Sequence, residues 1–454
     1  MGGTISRKAR NWGADAQPPT WYPQKDAKFS IDFNLHKSLS SVTERINGDN
    51  VATQSKISRR LSQSAVVQAI ASYGPISRAS VSKLTGLSKQ TISEIVGNLE
   101  ADGWVRTVGQ TAGHVGRRAV IYEVAPDAAI VASVDLGGTK VRVAICDLTG
   151  HVLAERVEPT EQRGGQDVVE QVARMVLATV KDIRDPCGAL RIAVVGVPGV
   201  PNRKTGAIHM APNIGGLDQV NLSRTLNERL GIEVLVENDV NLAALGEHWM
   251  DHRSDQDDLV FISVGTGIGA GIVVGGRLLR GVSGAAGEVG FLPFGADPRE
   301  NLSQRIGALE RVTATGAIIG GYRGLTGEIR NVPAIFRAAT EGDAAAGQVL
   351  DNVAYQIARA SAAIVAILDP SLIVMGGSIG AEEQLMQRVQ RYAAACYPRD
   401  ITIFPSKLGP NAALAGGVSI ALSHLHISLF AEGQKGAEIS VPPPALESFK
   451  AAMS

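Results

Sequence analysis

The chain has 454 residues, 44% of them apolar and 19% charged, enough to bury the cores of two or three domains. Its 44 Lys/Arg and 44 Asp/Glu cancel, which excludes a uniformly basic nucleic-acid-coating or uniformly acidic chain. Fifty-one glycines with 4% aromatics favour an α/β protein rich in tight turns over a β-sandwich, and Cys146, Cys187 and Cys396 lie too far apart for metal-ligand spacing, so they read as buried thiols in a reducing cytosol.

Residues 1–55 are polar and irregular and read as a disordered N-terminal extension. No apolar core segment of a secretory signal is visible there, so a cytoplasmic protein that crosses no membrane is expected. Residues 56–125 carry nine Lys/Arg against four acids (9 − 4 = +5), the local asymmetry of a nucleic-acid-binding module.

That module reads as three helices and two strands. A first helix covers 59–73, and a second starts after Ser77 and stops at Gly86. A third follows Ser88 and carries Ile92, Ile95, Val96 and Leu99 on one face. "WVRTVG" and "AVIYEV" then form two strands joined by a doubly basic tip, which completes a winged helix-turn-helix. Such a fold would lay Lys89, Gln90, Thr91 and Ser93 in the major groove of double-stranded operator DNA, with Arg117 and Arg118 on phosphates or in a minor groove. The alternative is a packing or dimerisation unit whose charges are merely solvated.

From residue 126 onward, strands alternate with helices. "AIVASVDLGGTKVRVAICDLTGHVLAERV" reads as a meander, "QDVVEQVARMVLATVKDI" as an amphipathic helix, and "RIAVVGVPGV" and "DPSLIVMGG" as buried strands. "LVFISVGTGIGAGIVVGG" approaches membrane-span length, but its glycines divide it into two strands and a turn.

Two of the glycine turns suit phosphate. In the first, Asp135 stands at a strand end before Gly137, Gly138, Thr139 and Lys140. In the second, Thr266, Gly267 and Gly269 repeat the chemistry, and Gly376 and Gly377 form a third turn on the nucleoside side. Neither a P-loop nor a dinucleotide fingerprint is present.

Together these segments resemble the ROK family of repressors and sugar kinases, within the actin-like ATPase superfamily, over roughly residues 56–430. The resemblance implies a two-lobed sugar-kinase-like domain over 126–430, with a second lobe of about 247–411. It implies that "DLGGTK" and "GTGIGAG" grip ATP phosphates in those members that are kinases. It also implies sugar contacts from Asn213, Asn238, Asp239, Glu288 and Glu310, with Asp239 as general base in a kinase; helix capping is the alternative role for Asp239.

Family members usually read "GExGH" and "CxCGxxGCxE", binding a structural zinc. Here Phe291, Asn301, Ser303 and Ala308 stand at the four ligand positions, so no zinc is expected, and Phe291, Leu292 and Phe294 are expected to anchor the loop by packing. The resulting expectation is a sugar-responsive repressor of carbohydrate genes with a sugar effector, acting as a homodimer or homotetramer. The alternative is an Mg-ATP-dependent sugar kinase with a DNA-binding appendage. Residues 431–454, with "VPPPAL", read as a flexible tail.

Overall fold

The structure, a computed structural model, describes residues 51–110, 119–185, 187–202, 205–210, 214–250, 258–430 and 441–453. Arg117 and Arg118, expected on DNA, and Asn213, expected on sugar, fall outside the described residues.

The first elements are α1 (Val51–Tyr73), β1 (Ile76–Ser77), α2 (Arg78–Thr85), α3 (Lys89–Ala101), β2 (Val105–Gln110) and β3 (Val120–Val124). Ser77 caps α2 by accepting from the Ser80 N–H, and Gly86 ends it at φ 70°, a conformation that glycine adopts without a Cβ clash. Ser88 caps α3 by accepting from the Thr91 N–H at 3.1 Å. The stripe Ile92, Ile95, Val96 and Leu99 buries against Val66, Val67 and Ile70 of α1. Two features differ from the sequence reading. Helix α1 starts at Val51, inside the segment read as disordered. Strand β1 is an addition: its two residues pair antiparallel with β3, which makes a three-stranded sheet in the order β1-β3-β2.

The larger part of the chain has two lobes. The first contains β4 (Ile130–Leu136), β5 (Lys140–Asp147), β6 (Val152–Pro159), α4 (Gly165–Lys181), β7 (Leu190–Val197), the small hairpin β8 (Val200–Pro201) and β9 (Ile208–His209), α5 (Leu222–Leu230), β10 (Glu233–Asn238) and α6 (Asp239–Met250). The second contains β11 (Leu259–Val264), β12 (Ile268–Val274), β13 (Arg277–Leu278), α7 (Asn301–Ile306), α8 (Glu310–Thr313), α9 (Thr315–Thr326), α10 (Val332–Thr340), α11 (Ala344–Leu368), β14 (Leu372–Gly376), α12 (Gly377–Gly380), α13 (Glu383–Cys396) and β15 (Ile403–Pro405). The chain then enters α14 (Ala412–Phe430) and ends with α15 (Leu446–Ala452).

The two five-stranded sheets share one topology. They run β10-β7-β4-β5-β6 and β13-β12-β11-β14-β15. Numbered within its own lobe, each is 3-2-1-4-5: an antiparallel meander whose first strand continues into two parallel strands. The glycine turns β4–β5 and β11–β12 are therefore equivalent positions in the two lobes.

Helices α6 and α14 cross between the sheets. A Cβ on Gly246 would stand 2.1 Å from the Ala412 carbonyl oxygen, and one on Gly416 would stand 1.8 Å from the Leu242 carbonyl oxygen. Backbone thus meets backbone, which only glycine permits. Around the crossing, Ala243, Ala244, Phe261, Val273, Val374 and Leu414 form one core shared by both lobes. By length and composition, Gly409–Leu429 would suffice to cross a membrane, but its apolar surface packs on β4, β7 and α6.

The C-terminal segment is not the loose tail that its prolines suggest. Residues 431–440 are outside the described residues, but Val441, Phe449 and Met453 are buried. The Trp249 indole donates to the Val441 carbonyl at 2.7 Å, and Phe449 packs into the shared core. Burial of these apolar side chains offsets the entropy of ordering the segment. Phe449→Ala should therefore lower unfolding free energy by about 3 kcal/mol or more. Chemical denaturation checks this, because in a loose tail the substitution would be silent.

Candidate functional site

A cleft of about 760 Å³ opens where the ends of both sheets meet α6. Its lining unites residues far apart in sequence: Thr139, Asn238 and Asp239 from the first lobe, and Thr266, Gly267, Gly269, Glu288, Glu310 and Gly377 from the second.

The α6 N-terminus is built so that one residue caps and the next is left for the cleft. Asn238 Oδ1 accepts from the Asn241 N–H at 3.0 Å, and its Nδ2 donates to the Gly199 carbonyl at 3.0 Å. Asn238, not Asp239, therefore caps α6. Asp239 Oδ1 accepts from the neighbouring Val240 N–H at 2.9 Å, and its carboxylate is also held by its own backbone N–H. Behind them Glu237, 5% exposed, accepts from Asn241 Nδ2 at 3.1 Å and from Arg280 Nε at 2.7 Å. This ion pair joins β10 of the first lobe to the segment after β13 in the second.

Glu310 sits on the second glycine turn. Its Oε2 accepts from the Ile268 N–H at 3.1 Å, and a Cβ on Gly267 would stand 2.5 Å from that same oxygen. Glycine at 267 is what lets the carboxylate approach the turn.

Four carboxylates meet in this region, and burial pushes all of them above the usual carboxylate range. Asp239 is raised to about 7 by desolvation, then by the nearby Asp135 and Glu288 charges. Asp135 is raised by burial against the lowering pull of Arg142 and Lys140. Glu288 is raised by desolvation, and Glu310 by desolvation together with Glu288, opposed by its bond from Ile268. A cleft of this kind offers acceptors to hydroxyl donors and repels an anion close to the acids.

The glycine turns are only partly open to a ligand. The Gly137 N–H is spent inside its turn on the Lys140 carbonyl at 3.0 Å, so it does not face an anion. Of that turn only Thr139 lines the cleft; Asp135, Gly137, Gly138 and Lys140 stand behind or beside it. In the third turn the adjacent glycines divide their roles. Gly376 is closed in by the Phe261 ring, which a Cβ would meet at 2.4 Å, while Gly377, at φ 84°, reaches the cleft with Ser378.

The remodelled loop corrects the sequence reading at Phe291. That side chain is 37% exposed and lines the cleft, so it is a wall and not an anchor. Leu292 and Phe294 do pack against the second-lobe core. Ser303 and Ala308 are buried, and Asn301 begins α7 outside the cleft. A phenyl ring, an amide, a hydroxyl and a methyl do not make a zinc site.

Sequence reasoning missed Arg305, Ser378, Met210 and the Glu237–Arg280 pair. Arg305 and Met210 line the cleft, and Met210 holds φ 57°, an uncommon conformation for a residue with a side chain. Glu237 lies within "VENDVN", one residue before the capping asparagine. Only its burial, which the strand pattern does not reveal, distinguishes it.

Two lobes of identical strand order closing on a polar cleft define the actin-like, sugar-kinase class of fold. The chain belongs to the ROK family, whose profile matches residues 131–424. It is 27% identical over 390 residues to the xylose repressor of Caldicellulosiruptor bescii, a match spanning 81% of this chain and 96% of that one. It is 32% identical over 307 residues to the glucokinase of Halalkalibacterium halodurans, spanning 63% of this chain and 92% of that one. Among solved structures, a ROK family transcriptional regulator homologous to the E. coli Mlc protein shares the fold with a TM-score of 0.70 at 24% identity, over 82% of this chain and 98% of that one.

The raised Asp239 gives a pH prediction. A carboxyl held at about 7 in the folded state and near 3.8 in the unfolded chain favours folding when protonated, and that contribution is lost as pH rises from about 4 through 7. Asp239→Asn should match the parent near pH 4 and exceed it by about 1–2 kcal/mol at pH 8, allowing for solvent screening at the cleft. Denaturant unfolding at the two pH values measures the difference; an equal gain at both would contradict the shift.

Proposed function

We propose that this ROK protein is a sugar-responsive DNA-binding transcriptional regulator, a repressor of carbohydrate genes, working in the cytoplasm as a homodimer or homotetramer. The observation that carries the reading is that the ligand-type cleft and a DNA-type module are parts of one chain. Asn238, Asp239, Glu288 and Glu310 face that cleft together. Residues α1 to β3 form a winged helix-turn-helix in this reading, and α3 presents Lys89, Gln90 and Ser93 exposed at its start. Thr91 is less available, because its hydroxyl is 2.9 Å from that of Ser88. Ser93 Oγ accepts from Arg78 Nη1 at 3.3 Å, which ties α3 to the start of α2. Arg117 and Arg118 would meet DNA from the wing, and Asn213 would add a sugar contact.

A sugar between the lobes changes DNA affinity only if it binds one lobe arrangement better than the other. The Glu237–Arg280 pair and the α6–α14 crossing are where that arrangement is held. Operators for a two-fold dimer would be inverted repeats.

Kinase activity is the second reading, favoured by one observation: Thr139, Thr266, Gly267 and Gly377 line the same cleft as Asp239. Mg-ATP, when bound, would supply the transferable phosphoryl group, held by those turns with Asp135 nearby. Asp239, with its carboxyl near neutrality, would take the proton from a sugar hydroxyl placed against it.

Two measurements separate the readings. Operator binding by the full chain is measured with and without D-xylose, D-glucose and N-acetyl-D-glucosamine; at least one sugar should change affinity about fivefold or more, the low end of ordinary allosteric coupling. ADP release with the same sugars should be abolished in Asp239→Asn if the chain is a kinase. Turnover that no sugar couples to DNA binding would overturn the regulator.

A further inference from the structure

The zinc-free loop raises the question of what holds Glu310 against the second glycine turn. Zinc in the family's usual loop would join positions 291, 301, 303 and 308, and the residues at those positions here cannot bind it. The structure places a different cation among the same segments. Arg311 Nη1 donates to Ser303 Oγ at 2.7 Å and to Glu300 Oε2 at 2.6 Å. Ser303 is 2% exposed and occupies one of the ligand positions; Glu300 immediately precedes another.

We infer that Arg311 is a positioning residue that replaces the family's metal, its guanidinium tying α7 to α8 so that Glu310 is aimed into the cleft. A guanidinium carries its N–H donors in a fixed plane, so it can serve two acceptors at once and fix their relative direction. The two acceptors lie at the start and middle of α7, and the arginine springs from the second residue of α8. The first residue of α8 is Glu310. Around it, the Leu309 N–H donates to the Gly290 carbonyl at 3.0 Å, which locks the α8 entrance against the turn that carries Glu288 and Phe291. The far end of the loop has its own cation, since the Arg359 guanidinium lies 4.8 Å over the Phe294 ring.

The geometry also explains why the buried hydroxyl of Ser303 is tolerated where a thiolate would stand. A buried hydroxyl needs a partner, and Arg311 supplies the donor. Loss of the guanidinium would leave that hydroxyl without its donor and free α8 to rotate, and Glu310 would then release the Ile268 N–H.

The test does not need the effector to be known. Amide hydrogen exchange of the full chain is followed by mass spectrometry over 265–272 and 288–312, with α4 as the internal control. Arg311→Met should speed exchange in both segments by about tenfold, the loss expected for a charge-assisted hydrogen bond, and leave α4 unchanged. Arg311→Lys, which keeps the charge but loses the planar fork of donors, should lie between. If Arg311→Met unfolds the chain, Ser303→Ala and Glu300→Gln decide, each speeding exchange in the same two segments alone.

Exchange at the parent rate in the Met variant, or in both of those replacements, would overturn the inference. So would faster exchange in the parent chain after treatment with a zinc chelator. A titration with D-xylose, D-glucose and N-acetyl-D-glucosamine tests the sugar reading on which Glu310's role rests. A sugar that binds the parent should bind Arg311→Met about tenfold more weakly, with Arg311→Lys partly restoring affinity; equal affinity would refute the positioning role. Binding of none of the three would count against the sugar reading, and the exchange result would still decide what holds the loop.

Discussion

The contact on which both lobes depend is the crossing of α6 and α14. At Gly246 and Gly416 the helices approach until main chain touches main chain. The crossing brings together the two sheets, the capped start of α6, and the link from β15 into α14. Glu247 reinforces it: its buried carboxylate accepts from the Leu408 N–H at 3.0 Å and the Lys407 N–H at 3.2 Å, and also holds the Ser406 hydroxyl. Arg142 fastens the same link from the other side, donating to the Pro410 carbonyl at 2.7 Å and to Asn411 Oδ1 at 2.6 Å. Buried charges that are hydrogen-bonded on both sides of the link resist being drawn apart, because a charge left unpaired in a core is costly.

The cleft draws its chemistry from this framework. Asp239 is available to a ligand because Asn238 performs the capping. Glu310 is available because glycine at 267 leaves it room. The price of assembling four carboxylates is carried by burial-raised protonation: at neutral pH Asp239 is shared between its acid and base forms. A neutral polyol can donate to such groups or accept from them, and each hydroxyl it contributes replaces water that the acids would otherwise require.

Much of the fold was legible because its signals are local. The meander β4–β6, the β11–β12 hairpin and the helix caps at Ser77 and Ser88 follow from periodicity and turn chemistry, and the structure has them. The grouping in the cleft was legible through its motif, since Asn238, Asp239, Glu288 and Glu310 all line it. What failed to show was tertiary. Nothing in "MGG" tells that Gly376 packs under Phe261 while Gly377 faces the cleft. Glu237 and Arg280 find each other across 43 positions of sequence. The prolines near the C-terminus suggest a loose tail, but Leu446, Phe449 and Met453 beyond them have the helical spacing of a buried face. Phe291 looked like an apolar anchor because hydrophobicity does not say which way a loop residue points.

Helix α14 carries one more consequence. Its first residues stand at the lobe crossing, while Ile427 and Leu429 near its other end pack against the core of the N-terminal module beside Trp104 and Val124. The module is thus completed by residues some three hundred positions downstream of its own sequence. A fragment cut after β3 would bare the patch that Ile427 and Leu429 cover, and such a fragment would be stickier and less stable than the same residues in the intact chain.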